Sequence, residues 1–336
     1  MPSPGLRVSI VGVGGAGNNL LSHAIGEGIS PSDCVAVNTD RSQLSKSLAQ
    51  NKVLLAEAIE SNHEGSEQTN RGRQLSVHRV APFTQQSDFT ILVTGLGGVT
   101  GTGTAPLIAQ MNRTHVRPVI SVVAIPFIHE RERRFVAMRG LKKMVEACDC
   151  TMVIDNAMQK EPSGDAERAA DETASIAVRD LSEVVAVGGP KISQKVRATL
   201  CLGSIATICT SSMGPRDTIQ STVIKALRTP SANLPLKKAK GAILLYRGPE
   251  ALSTVQVAHA YETIASLVGH DVKFVQGSIE QPSQPTLSIF LSGYTYDMSL
   301  GTFVDFIEDL YDIEFGLEPS GTRIGFRIPL YQMEDA

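Results

Sequence analysis

A dominant charge of either sign is missing from this chain. Thirty-four acidic residues face 31 basic ones, for a net charge of −3. Without a broad basic field, nucleic acid is disfavoured as a main ligand. Long apolar runs are missing too, and none approaches the roughly 20 residues of a membrane span. The first residues, Met1-Pro2-Ser3-Pro4-Gly5, lack the charged-then-apolar pattern of a signal peptide. Direct membrane binding is therefore not expected, and a cytoplasmic location is. Cysteine is scarce: Cys34, Cys148, Cys150, Cys201 and Cys209 are odd in number and form no CxxC pair. That argues against a disulfide framework and against a zinc site, and leaves reduced, mostly buried thiols. His63, His78, His115, His129, His259 and His270 have no carboxylate or serine at a telling spacing.

What the chain has is a globular composition. It is 42 % hydrophobic and 19 % charged over 336 residues, enough for about two domains of roughly 150 residues. Glycine is the feature to follow, because nine of the 29 fall in two short stretches, 12–17 and 95–103.

The first half alternates strand-like and helix-like segments. Strands are expected at Leu6–Val11, Cys34–Val37, Val53–Leu55, Phe89–Thr94, Val119–Ile125 and Thr151–Ile154, with helices at Leu20–Ile25 and Ala105–Met111. Near-continuous apolar strands alternating with helices predict a parallel sheet covered on both faces. The longest helical pattern spans 165–185, and Gly188-Gly189-Pro190 should stop it. Beyond it a helix is expected near 194–208. Strands follow at Gly241–Tyr246, Val272–Gln276, Thr286–Ser292 and Arg323–Ile328, with helices at 254–268 and 301–310. Residues 60–73 and 278–285 have the composition of exposed loops.

Gly12-Val-Gly14-Gly15-Ala16-Gly17-Asn18-Asn19 follows a strand and opens a helix. Glycines there let the backbone approach phosphates, and the helix N-terminus offers unpaired N–H groups. The spacing also satisfies GxGxxG, and Asp40 lies 23 residues beyond Gly17, as in a dinucleotide-binding domain. A structural turn, a nicotinamide or flavin dinucleotide, and another phosphate ligand all remain open on this loop alone. The second loop, Gly95-Leu-Gly97-Gly98-Val-Thr100-Gly101-Thr102-Gly103-Thr104-Ala105-Pro106, also joins a strand to a helix. A dehydrogenase needs one pyrophosphate cradle, whereas two such loops on one sheet suggest a longer polyphosphate held from two sides. No lysine follows in the P-loop position, so this is not a Walker A site.

With these two loops the sequence resembles the FtsZ/tubulin family of GTP-binding cytoskeletal proteins. Gly97-Gly98-Val99-Thr100-Gly101-Thr102-Gly103 is similar to the family's most specific motif, and the first loop to its FtsZ version. Asn38-Thr39-Asp40 with Gln43 and Leu44, Pro126-Phe127 through Arg134, and Lys238-Ala-Lys240-Gly241 also resemble FtsZ segments, over about 6–330. The resemblance implies a Rossmann-like GTP-binding domain (1–163), a long central helix with its following loop (164–190), and a smaller α/β domain with a mixed sheet (191–330). A tail of only 331–336 would remain, making tail-mediated binding to a membrane anchor doubtful. The implied ligand is GTP or GDP, with Mg²⁺ as a candidate cation. The implied site is Gly14, Gly15, Ala16, Gly17, Asn18, Asn19, Gly97, Gly98, Thr100, Gly101, Thr102 and Gly103 around the phosphates. Glu130 would contact the ribose, Arg134 the phosphates, and Asn156 and Asp171 the guanine. The implied partner is the chain itself or another FtsZ-like subunit, in filaments serving cell division or cell shape.

The sequence also departs from the family. There a loop after the central helix supplies two aspartates to the next subunit's nucleotide. Anchored on Val196-Arg197-Ala198-Thr199-Leu200, those positions fall here on Ile192 and Lys195, and no Asp or Glu occurs at all in 184–216. A carboxylate that orients the attacking water cannot come from that stretch. Loop 60–73 keeps only Gly65 and Gly72 where the family has a glycine-rich run. Weak or lost GTP hydrolysis is therefore expected, with two alternatives: an active GTPase using another acid such as Asp217, and a Rossmann-type NAD(P) or FAD oxidoreductase.

Overall fold

The structure is a computed structural model and describes residues 6–55, 76–114, 117–158, 166–187 and 189–296. The expected helix at 301–310, strand at Arg323–Ile328, loop at 60–73 and tail at 331–336 lie outside the described residues.

The chain opens with strand β1 (Val8–Val13), helix α1 (Gly14–Gly26), β2 (Cys34–Asn38), α2 (Arg41–Lys46) and β3 (Asn51–Leu54). A short α3 (Ala81–Thr84) precedes β4 (Phe89–Gly95), α4 (Val99–Thr114), β5 (Val119–Ile125), α5 (Arg131–Ala147) and β6 (Cys150–Asp155). Then come the long α6 (Ala166–Val187), α7 (Gly189–Leu200), β7 (Ile205–Ser212), α8 (Ile219–Leu227) and β8 (Gly241–Gly248). Helix α9 (Thr254–Val268), β9 (Lys273–Glu280) and β10 (Thr286–Tyr294) complete the described chain.

The strands form one sheet in the order β3-β2-β1-β4-β5-β6-β7-β10-β8-β9. From β3 to β7 every pairing is parallel, and β10 then runs antiparallel to both β7 and β8. The two halves of the sheet meet narrowly, with only Thr151↔Ile205 and Met152↔Ala206 joining β6 to β7. The near-continuous apolar strands are buried because helices cover both faces. One core cluster packs α4, α5, α8 and α9 onto the sheet, and the other packs α1, α6 and α7 onto the opposite face. The expected mixed α/β architecture is thus present.

Two expectations failed locally. The helix predicted near 194–208 ends at Leu200, and Ile205–Ser212 is β7. The β-branched run Ile205, Thr207, Ile208, Thr210 favours a strand, and Gly203 breaks the helix just before it. The loop expected to follow the central helix is helical from Gly189 onward, with Pro190 in the first turn of α7, where its missing N–H costs nothing.

A buried ionic cluster joins α6 to the far half of the sheet. Asp180 accepts from Arg247 Nη2 of β8 at 2.7 Å and from Ser288 Oγ of β10 at 2.6 Å. Arg247 also bonds Glu183, and Gln281 Oε1 at 3.1 Å. Asp180 is 2 % and Arg247 6 % exposed, so each charge depends on the other to offset its lost hydration. Burial alone pushes the Arg247 guanidinium down, but its bonds to Glu183 and Asp180 outweigh that and leave it raised.

Candidate functional site

Both glycine loops lie at the C-terminal edge of the parallel strands, where α/β sheets bind ligands. The β1–α1 junction needs glycine because Gly14 has φ +76°, and a Cβ there would sit 3.0 Å from the Gly101 nitrogen of the other loop. The β4–α4 loop turns at Gly97 (φ +95°), where a Cβ would fall 2.5 Å from the Arg133 carbonyl. Thr39 Oγ1 and Thr100 Oγ1 bond at 2.9 Å, which pins the two loops and the end of β2 together. Val13 caps α1 without a side-chain bond, and neither α1 nor α4 has an acidic residue in its first turn. The leading N–H groups of α1 therefore lack a capping side chain, and the positive ends of both dipoles face the loops.

A cavity of about 780 Å³ lies over these loops, lined by Gly14, Gly15, Ala16, Asn19, Gly98, Thr100 and Gly101 with Asn38, Thr39, Asp40, Gln43 and Lys46 opposite. A second, of about 620 Å³, is lined by Phe127, His129, Glu130, Asn156 and Asp171. Both include Ala16, Asn19, Gly95 and Arg133 in their walls. The two are therefore one elongated cleft, with backbone amides and cations at one end and ring, amide and carboxylate at the other. Asn156 Oδ1 is buried in that second end without a hydrogen-bond partner among the described residues. A buried acceptor left without a donor is costly, and a ligand amine or ring N–H would satisfy it.

Most residues expected at the site line this cleft, but not all. Gly17 packs α1 against β4, because a Cβ there would meet the Val93 carbonyl at 2.5 Å. Asn18 is buried, donates to the Val37 carbonyl at 3.4 Å, and faces a neighbouring cavity behind α1. Gly97 shapes the turn, Thr102 Oγ1 accepts from its N–H at 2.9 Å, and Gly103 continues α4. Lys195 is exposed on α7, and Ile192 falls in the first turn of that helix.

Arg134 needs a correction. It was expected at the phosphates, but its guanidinium is bidentate to Asp155 at 2.8 and 2.7 Å and donates to the Pro126 carbonyl at 2.5 Å. Only 4 % of it is exposed, and neither half of the cleft is lined by it. Its neighbour Arg133 lines both halves and pairs with Glu130, whose Oε2 also accepts from the Phe127 N–H at 3.1 Å. Sequence reasoning passed over Arg133, Lys46, Phe127 and Val99 as site residues. The available signal was helical phase: on α5 the residue after Arg133 faces the apolar core side shared with Ala137, Met138 and Leu141.

The thiols do not enter the site. Cys34, Cys148, Cys150 and Cys209 are buried and Cys201 is exposed. Burial, with a smaller push from Asp33, raises the Cys34 thiol to about 12. Among the described residues no group of three or more His, Cys, Asp or Glu side chains could hold a metal ion, and no helix is long and apolar enough to cross a membrane.

Comparison with known proteins points one way. Residues 7–161 match the family model described as Tubulin/FtsZ family, GTPase domain. Cell division protein FtsZ 1 of Methanocaldococcus jannaschii is 28 % identical over 297 residues, covering 85 % of this chain and 82 % of that protein. Cell division protein FtsZ 1 of Pyrococcus horikoshii is 31 % identical over 255 residues, covering 73 % and 68 %. Among solved structures, an empty FtsZ dimer from M. jannaschii superposes with a TM-score of 0.75 at 26 % identity over 86 % of this chain and 88 % of that one. CetZ2 of Haloferax volcanii, solved as a GTPγS-bound protofilament, has a TM-score of 0.73 at 21 % identity, covering 91 % and 99 %, and shares the fold. Nothing in these matches supports an oxidoreductase. By its two glycine loops, its sheet order and these relatives, the chain belongs to the Tubulin/FtsZ family.

Proposed function

We propose that this protein binds GTP and GDP in the two-part cleft, assembles head to tail with itself or another FtsZ-like subunit, and hydrolyses GTP slowly or not at all. One observation supports the ligand above all others. A cleft with the uncapped N-terminus of α1 at one end is lined at its other end by the Asn156 acceptor, which has no partner among the described residues, and by the Asp171 carboxylate. The phosphates would lie against Gly14, Gly15, Gly98, Thr100 and Gly101, where backbone amides and the dipoles of α1 and α4 favour anions. Glu130 would accept from ribose hydroxyls, and Arg133 would take the phosphate-facing role first expected of Arg134. Asp171 would accept from the paired N1–H and exocyclic amine of guanine, a donor pair that adenine lacks. Among the described residues no cluster of His, Cys, Asp or Glu could hold a metal ion, so Mg²⁺ would enter with the triphosphate oxygens as its ligands.

In a head-to-tail contact the neighbour's α7 would approach the terminal phosphate. That helix has Ile192 and Lys195 where the family has aspartates, and 184–216 has no acid. A lysine there attracts the triphosphate and cannot accept a proton from water, so binding persists while hydrolysis slows. A role in cell division, which the relatives' names state, or in cell shape belongs to the same proposal.

Two measurements test it. Denaturing the purified protein and chromatographing the released nucleotide should yield GDP or GTP; a dinucleotide, or nothing, would refute the ligand. Phosphate release should be far slower than that of an ordinary FtsZ while GTP-dependent pelleting persists. Turnover at the usual FtsZ rate would mean that another acid, such as Asp217, completes the site.

A further inference from the structure

Strand β9 forms one outer edge of the sheet, and among the described residues nothing pairs with its far side. None of its eight residues is buried, whereas all eight of β8 and eight of the nine in β10 are. The two faces of β9 differ in character. Val275 and Ile279 pack against the core cluster beneath α1, α6 and α7. A Cβ on Gly277, between them, would lie 3.5 Å from Val184 of α6. Phe274 turns the other way, onto Tyr261 of α9, with ring centroids 5.3 Å apart. Gln276, Ser278 and Glu280 share that side by alternation. A long edge with half-exposed apolar side chains is a template for one more strand.

We propose that residues 323–328 of this same chain dock on that edge as an added strand, antiparallel to β9, with Arg323 opposite Glu280. The inference is independent of the nucleotide reading. Connection geometry supports the direction. Strand β10 ends beside the start of β9, since Ser292 pairs with Gly241 and Gly241 with Lys273. From there residues 297–322, with a helix expected at 301–310, lead to the strand expected at Arg323–Ile328. A connection of a dozen or more residues through a helix is the crossover that joins parallel strands. A strand parallel to β10 is antiparallel to β8 and β9.

Side-chain pattern selects the register. With Arg323 opposite Glu280, Ile324 would meet Ile279, Phe326 would meet Gly277 and Ile328 would meet Val275, all on the α6 side. An aromatic ring over an edge glycine fills the space of its missing side chain. On the α9 side Gly325 would meet Ser278 and Arg327 would meet Gln276. Apolar residues thus oppose apolar ones or glycine, and an arginine opposes the exposed Glu280. A slip of one residue would turn Arg323 and Arg327 onto the apolar side. The parallel alternative would bring Arg323 to the Lys273 end, where like charges repel.

Cross-linking in the full chain tests both docking and register. The background is Cys201→Ser, which removes the exposed thiol. Opposed Cα atoms in an antiparallel pair lie about 4.5–5.5 Å apart, within reach of a disulfide. Ser278→Cys with Gly325→Cys, oxidised with glutathione disulfide, should therefore close within one chain and give a faster-migrating monomer on a non-reducing gel. Ser278→Cys with Ile324→Cys puts the second thiol on the opposite side and should stay open. A cross-link only between chains would give the edge to a second copy and overturn the proposal. So would no cross-link, or equal closure of the two pairs. Should the cysteine variants not fold, amide hydrogen exchange of the otherwise unsubstituted chain decides. Phe326→Asp should speed exchange of the β9 amides that do not serve β8 by about tenfold or more, because it opens the outer ladder. Unchanged exchange there would overturn the proposal.

Discussion

The buried pair Arg134–Asp155 offers the sharpest test of how the site is built. Its side chains are 5 % and 6 % exposed, with Nη–O distances of 2.8 and 2.7 Å, and Asp155 Oδ1 also accepts from the Ala157 N–H at 3.0 Å. Asp155 ends β6 and directly precedes Asn156, so the pair fixes the strand end that presents Asn156 to the cleft. Replacing Arg134 by methionine keeps volume and removes the charge. The Asp155 carboxylate then loses its bidentate buried cation, which costs about 3–5 kcal/mol. That is a large part of the ~5–15 kcal/mol holding a typical domain together. Removing both charges, in Arg134→Met/Asp155→Leu, should recover most of the loss, because a well-packed apolar pair often matches a buried ion pair. Urea denaturation followed by circular dichroism reads stability, and titration with labelled GDP reads binding. Arg133→Ala should do the opposite, leaving the denaturation midpoint within about 0.5 kcal/mol while weakening nucleotide binding. If Arg134→Met instead leaves stability intact and weakens phosphate binding, and Arg133→Ala does nothing, the assignment of the two arginines is reversed.

Other expectations follow from the same geometry. Gly97→Ala forces a Cβ to within 2.5 Å of the Arg133 carbonyl at φ +95°; it should cost about 1–3 kcal/mol and disturb Arg133, visible as a lower melting midpoint with weaker GDP binding. Asp171→Ala should lower guanine selectivity and leave the midpoint unchanged, since the residue is half-exposed on α6. Ile192→Asp/Lys195→Asp should raise phosphate release in assembled protein, and no change would show that the missing acids do not limit hydrolysis. Of the five thiols, only exposed Cys201 should react quickly with a disulfide reagent in the native state. Burial raises the Cys34, Cys148 and Cys209 thiols from 9.0 to about 12. The folded state therefore binds those protons more tightly, and stability that is complete below pH 9 should fall as pH rises towards 12.

The parallel half of the fold was legible because β1, β2, β4, β5 and β6 are unbroken apolar runs between helices, a pattern that buried strands force on a sequence. The phosphate end of the cleft was legible for a similar reason: Gly14 and Gly101 stand where a side chain would collide with the backbone. The Ile205–Ser212 strand was not, since its short apolar run after a helix has no period that separates the two states. Arg134 was misplaced because a charged residue in a charged run carries no mark of burial. Its main counter-charge, Asp155, is 21 residues away and on another element.

The Asp180 cluster has a consequence for how this protein can drift. Asp180, Glu183, Arg247 and Ser288 come from one helix and two strands yet share a single charge balance. Loss of Asp180 strands the buried Arg247, and loss of Arg247 leaves the buried Asp180 with Arg179 alone, so a single-step path to a neutral replacement is not smooth at either of these two. Among descendants of this sequence the four positions should be inherited as a block, changing together or not at all. A lineage in which Arg247 is lost while Asp180 stays should be rare, and would leave Asp180 to Arg179, whose Nε is 3.0 Å away.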